Sequence, residues 1–524
     1  MNRINKITSQ FSSFFEVFKA LIVLIVASAL YSCTDNTWDK HYQADPAIVS
    51  GDNLWTTLEA QPELSIFTGW LKAYGYDKTL SQSQAYTIFA PKNSALADID
   101  TTGLEVKTEW IENHIARFII PASGVTPYIV GTLNRKRIDL TNIGGTYFFG
   151  AASFTLPNQS IVASNGLIHV LDNYEPFFPN IWEYLTKQND LDSIKNYFYS
   201  FDEIVFDESS SVPGSVVNGQ QTYLDSVFIN KNSLLQNLRG YINREDSSYV
   251  MLVPNNTAWI EAYDRIKDDF VYYNLSARTA DSLQRTNAGY ALVQDLIFSN
   301  TVQSSPKDSL TSTSRNTFYN PQELFAGTEE VITSNGKMYI TNQLKIKPYE
   351  SWHKSIKVEA ERAFGRENTL STVSTPRAEG VIAVSGGRYL LVTPSTASGN
   401  PTITFEIPNT LSSTYNIYCV FVPVTVNNPN AKSLSCKVYF NLAYLNRSGN
   451  YMTDRFPASG TIDTNPYTMD TVLIASDFKF PTANYNEEIT TVTLKVVSNV
   501  GRNETANFSR ELLLDCILFE PQKQ

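Results

Sequence analysis

Two stretches of this chain repeat the same pair of short motifs, and a repeat constrains the fold more than any other feature. Residues 86–96 (YTIFAPKNSAL) and 249–259 (YVMLVPNNTAW) each run from a β-prone segment through Pro-x-Asn into helix-prone residues. Residues 161–172 (IVASNGLIHVLD) and 331–342 (VITSNGKMYITN) each place Ser-Asn-Gly between two β-prone segments. From proline to glycine the motifs lie 75 residues apart (91 to 166) and 82 residues apart (254 to 336). The chain is therefore predicted to contain two copies of one unit.

The first motif of each copy predicts a strand that passes directly into a helix. Pro91 and Pro254 lack a backbone N–H group, so each ends the β-prone run before it. Asn93 and Asn256 stand where a side-chain oxygen can cap the first turn of a helix. A strand, a turn and a helix are therefore predicted at both places.

The second motif predicts a β-hairpin in each copy. Asn165-Gly166 and Asn335-Gly336 are Asn-Gly pairs. Such pairs favour a two-residue type I′ turn, because both of its central residues need a positive φ. We therefore expect these pairs to form the tips of two hairpins.

Each copy also opens with a short amphipathic segment around a tryptophan, at residues 54–58 and 181–185. This tryptophan precedes the motif proline by 36 residues in the first copy and by 72 in the second. The excess contains several turn-forming residues. A loop insertion is therefore predicted in the second copy near residues 205–222.

Together these motifs resemble the fasciclin domain, whose members carry Phe-Ala-Pro-x-Asn-x-Ala-Phe followed by Asn-Gly-x-Ile-His-Val-Ile. Residues 89–96 (FAPKNSAL) and 165–171 (NGLIHVL) are similar to these two patterns. The resemblance implies an α+β unit used for adhesion or docking, over residues 51–178 and, in a diverged form, over residues 179–352. The positions that match the fasciclin motifs are Phe89, Ala90, Pro91, Asn93, Asn165, Gly166 and His169 in the first copy, and Pro254, Asn256, Asn335 and Gly336 in the second.

The two copies depart from the family pattern at their histidines. The family usually carries a histidine between the motifs, where this chain has Phe118; His114, one helical turn earlier, is the alternative. In the second copy Tyr339 takes the place that His169 has in the first. None of the four histidines stands at a metal-ligand spacing. His169 is therefore predicted to satisfy a buried hydrogen bond.

Beyond residue 353 the sequence changes to short β-prone runs separated by turn residues, which is typical of an all-β sandwich. The fold class predicted for the chain is multidomain: two α+β fasciclin-like domains, the second diverged, followed by an all-β jelly-roll-like sandwich at residues 353–524. The predicted strands of this sandwich are residues 388–392, 402–407, 415–421, 436–440, 490–497 and 512–521.

Both ends of this last region resemble jelly-roll carbohydrate-binding modules, through VEAE at residues 358–361 and LDCILFEP at residues 514–521. The resemblance implies a structural calcium ion held by acidic groups near the two ends, since carboxylate oxygens suit a hard cation. Glu359, Glu361 and Asp515 occupy the corresponding places. The alternative is that they are ordinary charges on edge strands.

The same resemblance implies a glycan as ligand, and sugar binding needs exposed aromatic side chains with polar neighbours. Tyr444, Tyr451 and Phe456 flank the polar segment 446–450 and are the candidates. The alternative for these three residues is packing in the core.

The first 33 residues have the pattern of an export signal. Three basic residues accompany an apolar run at residues 20–30 that contains one serine, Ser28. Eleven residues rise about 16 Å as a helix, roughly half of a bilayer core, which suits a signal peptide better than a membrane span. The segment LYSC that follows resembles the bacterial lipobox, in which the cysteine is acylated.

The lipobox resemblance implies a signal peptide at residues 1–32, an acylated Cys33 and a tether at residues 33–50. The alternative is an ordinary signal peptide with an incidental cysteine. The polar, acidic start of the tether resembles surface-export signals of Bacteroidetes-type lipoproteins, and a plain flexible leash would look much the same. Attachment to the outer membrane, with exposure at the cell surface, is the localisation expected.

The charge and the motif content exclude several classes of protein. A net charge of −11 argues against binding to nucleic acid or to anionic membranes in general. Four cysteines do not make a disulfide framework. The sequence has no Gly-x-Ser-x-Gly, glycine-rich phosphate loop, His-Glu-x-x-His or Cys-x-x-Cys motif. A non-catalytic protein is therefore expected, with calcium as the one cofactor considered.

Three functions follow from these observations. The first is an accessory surface lipoprotein that binds or presents a glycan beside a SusC/SusD-type outer-membrane transporter. The second is an adhesin that acts through the fasciclin domains. The third is a glycan hydrolase whose two carboxyl groups cannot be recognised from their spacing in the sequence.

Overall fold

The computed structural model describes residues 48–97, 104–124, 126–273, 276–299, 309–485 and 489–522. These residues form two compact units, which divide between Phe178 and Pro179. The predicted acylation site, Cys33, and the predicted signal peptide lie outside the described residues. No helix among the described residues combines the length and the apolarity that crossing a membrane requires.

The first unit consists of nine strands and five helices in the part of the chain that the structure describes. We call residues 51–178 the first repeat. Its helices are α1 (Leu54–Glu59), α2 (Ser65–Ala73), α3 (Tyr76–Leu80), α4 (Asn93–Leu96) and α5 (Leu104–Asn113). The strands of the unit are β1 (Ile48–Val49), β2 (Tyr86–Pro91), β3 (Ile115–Arg117), β4 (Tyr128–Gly131), β5 (Arg137–Ile143), β6 (Thr146–Phe149), β7 (Ala152–Thr155), β8 (Ser160–Ala163) and β9 (Gly166–Leu171).

A five-stranded sheet in the order β1-β8-β9-β2-β3 forms the centre of this unit. Its neighbouring strands β2 and β9 are parallel and buried along their whole length, because both are nearly continuous apolar runs. Side chains of the helices, among them Phe67 and Ile111, pack in one cluster with this sheet. A second cluster, with Phe149 and Phe154, joins it to the four-stranded sheet β4-β5-β6-β7.

We call residues 179–352 the second repeat; they lie in the second unit. Its helices are α6 (Ile181–Lys187), α7 (Asp192–Tyr199), α8 (Ser233–Leu238), α9 (Asn256–Ile266), α10 (Ala277–Val293) and α11 (Pro321–Phe325). Its strands are β10 (Asp202–Phe206), β11 (Val212–Val217), β12 (Gln220–Asp225), β13 (Phe228–Asn232), β14 (Tyr249–Pro254), β15 (Ile297–Ser299), β16 (Ser309–Thr311), β17 (Thr317–Tyr319), β18 (Glu329–Thr333) and β19 (Gly336–Thr341).

The central sheet of the second repeat has the topology of the first. Its order β15-β14-β19-β18 corresponds strand by strand to β3-β2-β9-β8, with the same parallel pair inside. The register is the same as well: Tyr86 pairs with Gly166, and Tyr249 pairs with Gly336. The duplication seen in the motifs thus extends to the hydrogen-bonding register of the two sheets.

The insertion predicted in the second repeat is a long β-hairpin instead of a loop. Strand β10 pairs with β13, and β11 pairs with β12. Asn218 and Gly219 at its tip both have a positive φ, as a type I′ turn requires. We call residues 202–232 the arm. None of its residues belongs to any described hydrophobic cluster.

The remaining strands, at residues 353–522, form two sheets, and we call this region the sandwich. One sheet has the order β22-β23-β32-β25-β29, with β20 also paired to β32; the other has the order β21-β24-β30-β26-β27, with β28 and β31 paired to β26. The strands are β20 (Ile356–Glu359), β21 (Arg366–Asn368), β22 (Thr372–Ala378), β23 (Arg388–Pro394), β24 (Thr402–Glu406), β25 (Thr414–Phe421), β26 (Ser435–Leu445), β27 (Tyr451–Phe456), β28 (Ile462–Asp463), β29 (Asp470–Lys479), β30 (Thr493–Ser498), β31 (Phe508–Ser509) and β32 (Leu512–Pro521).

The two sheets of the sandwich share one apolar core. It contains Phe405 and Phe440 from one sheet and Ile417 and Phe519 from the other. Side chains that alternate along each strand therefore fill the space between the sheets, as in other β-sandwiches. The three cysteines of this region are buried and free.

The second repeat and the sandwich belong to one compact unit, and the domain boundary predicted at residue 353 stays a prediction. Leu411 and Ala483 of the sandwich belong to the apolar cluster of the second repeat. Ser412 N donates to Asp269 O at 2.8 Å, and Ala483 N donates to Val271 O at 2.6 Å. Shared core residues and backbone hydrogen bonds thus hold the two regions together.

Candidate functional site

Asn165 joins three parts of the first repeat through backbone groups. Its Oδ1 accepts a hydrogen bond from Leu54 N at 2.6 Å, at the start of α1. Its Nδ2 donates to Leu80 O at 2.9 Å and to Gln82 O at 2.5 Å, in the segment that leads to β2. One buried amide therefore connects the opening helix, this segment and the β8–β9 hairpin.

Asn335 makes the equivalent contacts in the second repeat. Ile181 N donates to its Oδ1 at 2.9 Å, at the start of α6. Its Nδ2 donates to Ile242 O at 2.7 Å and to Arg244 O at 3.0 Å. Both motif asparagines thus act inside the fold, on the opening helices that the tryptophan segments predicted.

The hairpin turns differ from the predicted type I′ geometry. Each two-residue loop consists of serine and asparagine, and Gly166 and Gly336 are already the first residues of β9 and β19. Neither motif asparagine has a positive φ, so the prediction of an Asn-Gly tip is wrong. The glycines instead allow the backbones of the two parallel strands to approach each other closely. A Cβ would lie 2.2 Å from Tyr86 O in the first repeat and 1.8 Å from Tyr249 O in the second.

Asn93 and Asn256 also differ from their predicted capping role. Each is the first residue of its helix, and the residue before it occupies the cap position. Asn93 Oδ1 accepts from Ile66 N at 2.9 Å in α2, and Asn256 Oδ1 accepts from Ser193 N at 2.8 Å in α7. Each asparagine thus satisfies a backbone N–H left free in the first turn of an earlier helix of the same repeat.

The other motif residues of the first repeat also lie in the core. Phe89 stacks on Phe149 with ring centroids 3.8 Å apart, and the next residue, Ala90, is fully buried. Pro91 and Pro254 are the last residues of β2 and β14, where each parallel ladder ends. The motif therefore describes how the repeat is built and presents no reactive group.

His169 lies in the buried strand β9 and makes two hydrogen bonds. Its Nε2 is 3.1 Å from Ile120 O, and its Nδ1 is 3.3 Å from Ser160 Oγ. Burial lowers the pKa of His169 to about 4, although the carbonyl of Ile120 opposes this change. The imidazole is therefore neutral near neutral pH.

His114 is buried in the same way, whereas the position of the family histidine is exposed. His114 Nδ1 is 2.9 Å from Trp110 O, and its Nε2 accepts from Glu175 N at 3.2 Å. Burial lowers its pKa to about 4, again against the effect of a backbone carbonyl. Phe118 is 74% exposed. His114 is thus buried, and the residue at the family position, Phe118, is not.

A cluster of acidic side chains lies between β20 and β32. Ligand atoms of Glu359, Asp515 and Cys516 lie within 4.8 Å of one another. Ser385 N donates to Asp515 Oδ1 at 2.9 Å, and Ser385 Oγ donates to Glu359 Oε1 at 2.7 Å. Glu361 is outside this close group, but its Oε2 is buried without a hydrogen-bond partner, as is Glu359 Oε2.

This cluster has the donor set of a hard-cation site. Burial raises the pKa of the Asp515 carboxyl; the Ser385 N–H opposes this, and nearby carboxylates add to the rise. Burial raises the pKa of the Cys516 thiol to about 12, so the thiol is protonated and a poor ligand. Carboxylate oxygens that lack hydrogen bonds suit Ca²⁺. Glu359 and Asp515 could therefore hold such an ion, with the Lys357 ammonium group, 3.1 Å from Glu359 Oε1, as the competing cation.

The three aromatic candidates lie on the paired strands β26 and β27, outside any loop. The ring of Tyr444 packs against Phe478 at a centroid distance of 5.3 Å, and its hydroxyl donates to Asp454 Oδ2 at 2.8 Å. Phe456 also contacts Phe478, at 6.1 Å. Tyr451, in contrast, is 66% exposed. The three rings therefore do not form one exposed platform.

A cleft that the motifs did not indicate lies between the second repeat and the sandwich, within the second unit. Its volume is about 720 Å³, which is in the range of ligand-binding sites. Helix α10 presents Asn287, Tyr290 and the following Gln294 to it, at spacings that place them on one helix face. The described lining residues are Phe201, Asn237, Thr286, Asn287, Tyr290, Gln294, Ser314, Asn316, Ser351, Trp352, Lys354, Ser355, Ile356, Lys357, Pro408, Asn409 and Tyr485.

A fully buried carboxylate organises one wall of this cleft. Ser312 Oγ and Ser351 Oγ each donate to Asp295 at 2.5 Å. Asn316 Nδ2 donates to it at 2.7 Å and accepts from the Lys354 ammonium group through Oδ1. These contacts hold amide, hydroxyl and ammonium groups in place. The described lining includes no carboxylate, histidine or cysteine.

One family model matches part of the first repeat. Residues 62–174 match the family model of the fasciclin domain. This region is a fasciclin domain. The match includes the asparagine of each motif and His169, whose contacts are described above. A search of curated proteins finds no significant match.

Solved structures that are similar to parts of the chain include both fasciclin and carbohydrate-binding domains. The FAS1 domain pair of the insect cell adhesion molecule fasciclin I is 11% identical over 55% of this chain and 98% of that chain, with a TM-score of 0.21. The CBM22-1 xylan-binding domain of Paenibacillus barcinonensis Xyn10C is 12% identical over 32% of this chain and 94% of that chain, with a TM-score of 0.22. The CBM22-1-GH10 modules of Clostridium thermocellum Xyn10B are 15% identical over 32% of this chain and only 28% of that chain, with a TM-score of 0.22.

Proposed function

We propose that this protein is a non-catalytic surface lipoprotein that binds a glycan and is accessory to a SusC/SusD-type outer-membrane uptake system. In this proposal Cys33 carries the lipid anchor. Residues 179–352 are a second, diverged fasciclin domain, and residues 353–524 are a jelly-roll sandwich of the carbohydrate-binding-module type. A calcium ion bound by Glu359, Glu361 and Asp515 stabilises that sandwich.

The cleft beside α10 is the observation that carries the proposal. Its lining includes the rings of Tyr290, Trp352 and Tyr485, and sugar rings stack on aromatic rings of this kind. Its amides and lysines offer hydrogen-bond donors that match sugar hydroxyl and carboxylate oxygens. A glycosidase places two carboxyl groups across its site, and the described lining of this cleft has none. The arrangement therefore favours binding without hydrolysis.

The test is a glycan array probed with the purified protein, followed by calorimetry with the glycans that bind. Lys354→Met and Asn237→Ala each remove a donor from the cleft, and we expect each to weaken binding about tenfold, or roughly 1.4 kcal/mol. Lys432→Met, an exposed lysine outside the cleft lining, is the matched control. Unchanged affinity in both cleft variants would refute the cleft as the site, and steady cleavage of a bound glycan would refute the non-catalytic role.

Adhesion is the second candidate function, and the fasciclin domain at residues 62–174 favours it. Adhesion predicts that cells displaying the protein aggregate or attach to a matrix, and that removal of residues 51–178 abolishes this behaviour. Glycan binding through the cleft predicts that the same deletion leaves glycan affinity unchanged. The two measurements therefore separate the two functions.

A further inference from the structure

We propose that the arm, residues 202–232, is a docking surface for a different protein that offers an apolar groove flanked by lysine and arginine side chains. The proposal goes beyond glycan binding in the cleft. It rests on the proposed accessory role only in requiring that a protein partner exists.

The arm is an ordered element held at its base and its middle. At the base, Asn232 Nδ2 donates to Phe198 O at 2.8 Å. At the middle, between the two strand pairs, Asp207 N donates to Val227 O and Val227 N donates to Ser211 Oγ, both at 2.8 Å. The two halves therefore form one continuous hairpin.

One face of the arm is apolar and open to solvent. Ile204 and Phe228 are 76% and 61% exposed, and the register places both on the face of Phe206. The ring of Phe206 lies 4.7 Å from that of Tyr223, which continues this face into the outer half. Val216, which is 64% exposed, pairs with Gln221 and lies on the same face as Tyr223. We call this the apolar face of the arm.

Nothing in the described chain covers this face, although its residues are typical of an interior. A two-stranded hairpin by itself is marginally stable in water. Exposed apolar side chains gathered on one such surface mark an interaction site more often than single exposed residues do. The long insertion, absent from the first repeat, therefore has the properties of a surface completed by a partner.

The charge of the arm selects the kind of partner. The arm carries five acidic residues and one lysine: Asp202, Glu203, Asp207, Glu208, Asp225 and Lys231. Two copies of such an arm would bring like charges together, and the whole chain is already at −11. An anionic lipid surface is disfavoured for the same reason. A protein groove with a basic rim complements both the apolar face and the charge.

The experiment compares the two faces of the arm in the full-length protein, in the cells that produce it. A photo-crosslinking amino acid replaces Ile204 on the apolar face or, as the matched control, Leu224. Leu224 is 81% exposed. The register shifts at this residue, but its side chain and that of Thr222 both lie beside Gly214, on the face opposite Tyr223. We expect position 204 to yield an adduct with one other polypeptide, through a segment rich in lysine and arginine, and position 224 to yield at least tenfold less.

The identified partner is then purified and its affinity for three forms of the protein is measured. We expect the double variant I204D/F228D to bind at least tenfold more weakly than the wild type, and L224D to bind normally. Equal crosslinking from both faces, an adduct only with lipid or with a second copy of this chain, or unchanged affinity of I204D/F228D would each overturn the proposal. Glycan affinity is recorded for the same variants. K354M is measured beside them, and unchanged glycan affinity of K354M together with normal docking would count against the proposed function and leave the arm proposal standing.

Discussion

At the scale of single residues, the motif asparagines and glycines explain why such a short pattern specifies a whole repeat. Asn165 and Asn335 each satisfy three backbone groups that lie far from them in sequence. Gly166 and Gly336 allow the parallel strand to approach within a distance that any Cβ would prevent. Both requirements join residues that are distant in the sequence. Asparagine meets the first and glycine meets the second, so two residue types at fixed positions specify these contacts.

Replacement of Asn165 by alanine tests this account. Asn165→Ala leaves the N–H of Leu54 and the carbonyl of Leu80 without their partner inside the fold, so we expect a loss of about 2–5 kcal/mol in the free energy of unfolding. Urea denaturation measures it. Asn158→Ala, at an exposed position of the same repeat, is the control and should cost less than about 0.5 kcal/mol. Equal losses in the two variants would show that the hydrogen bonds of Asn165 contribute little.

The buried histidines make the first repeat sensitive to acid. The pKa of His169 is lowered to about 4 in the folded protein, below its value of about 6.5 in the unfolded chain. The neutral form therefore stabilises the fold fully above about pH 6.5, and this stabilisation is lost as the pH falls from there through about 4. We expect urea midpoints to fall over this window, and to fall less in His169→Gln. An identical pH dependence in both proteins would rule out His169 as a cause.

At the scale of elements, the acidic cluster is formed by the paired strands β20 and β32 and by the segment that contains Ser385. Residues 382 and 384 of that segment pack on the outer side of the sheet against Tyr389, Val422 and Val426. This packing brings Ser385 over Glu359 and Asp515. The cluster thus depends on the segment as well as on the two strands.

Calcium addition distinguishes a cation site from ordinary surface charge. Burial raises the pKa of Asp515, so without a cation its stabilising contribution is present at acidic pH and lost as the pH rises through that pKa. At neutral pH without calcium, we expect Asp515→Asn to melt at the same temperature as the wild type or higher. Millimolar calcium should raise the Tm of the wild type and leave that of Asp515→Asn unchanged. A calorimetric scan in which calcium affects neither protein would refute the site.

The sandwich also shows which elements a sequence pattern reveals. Strands β23, β24, β25, β26, β30 and β32 were predicted from their apolar alternation or apolar runs. Strand β29 was missed although Val472 and Ile474 alternate inward along it, so the signal was present. Strand β27 was missed because it lies at the edge of its sheet and its residues show no apolar alternation.

At the scale of the whole molecule, the predicted anchor makes a further test possible. In the proposed lipoprotein, stable attachment depends on the lipid chains on Cys33, so replacement of this cysteine should release the protein. We expect Cys33→Ser to move from the outer-membrane fraction to the soluble fraction and to lose incorporation of labelled palmitate, with Thr34→Ser as the control. Retention of Cys33→Ser in the membrane would refute the lipoprotein assignment.

The sequence by itself determined the duplication, the opening helices, the hairpins and the β-sandwich, because each is written in local periodicity and in residues with special backbone requirements. It also indicated Glu359 and Asp515 as neighbours, through resemblance. The roles of Asn93 and Asn165 were misjudged, because a local turn or cap was expected and their partners lie 27 to 111 residues away.

The cleft and the exposure of the arm were decided only by the tertiary structure. Asn237, Tyr290, Trp352 and Tyr485 meet because the second repeat and the sandwich share backbone hydrogen bonds and core residues. No spacing along the chain encodes such a meeting, since it depends on how two folded surfaces pack. The same holds for the arm, whose apolar pattern would suit a buried hairpin and whose solvent exposure follows only from its position outside every described core.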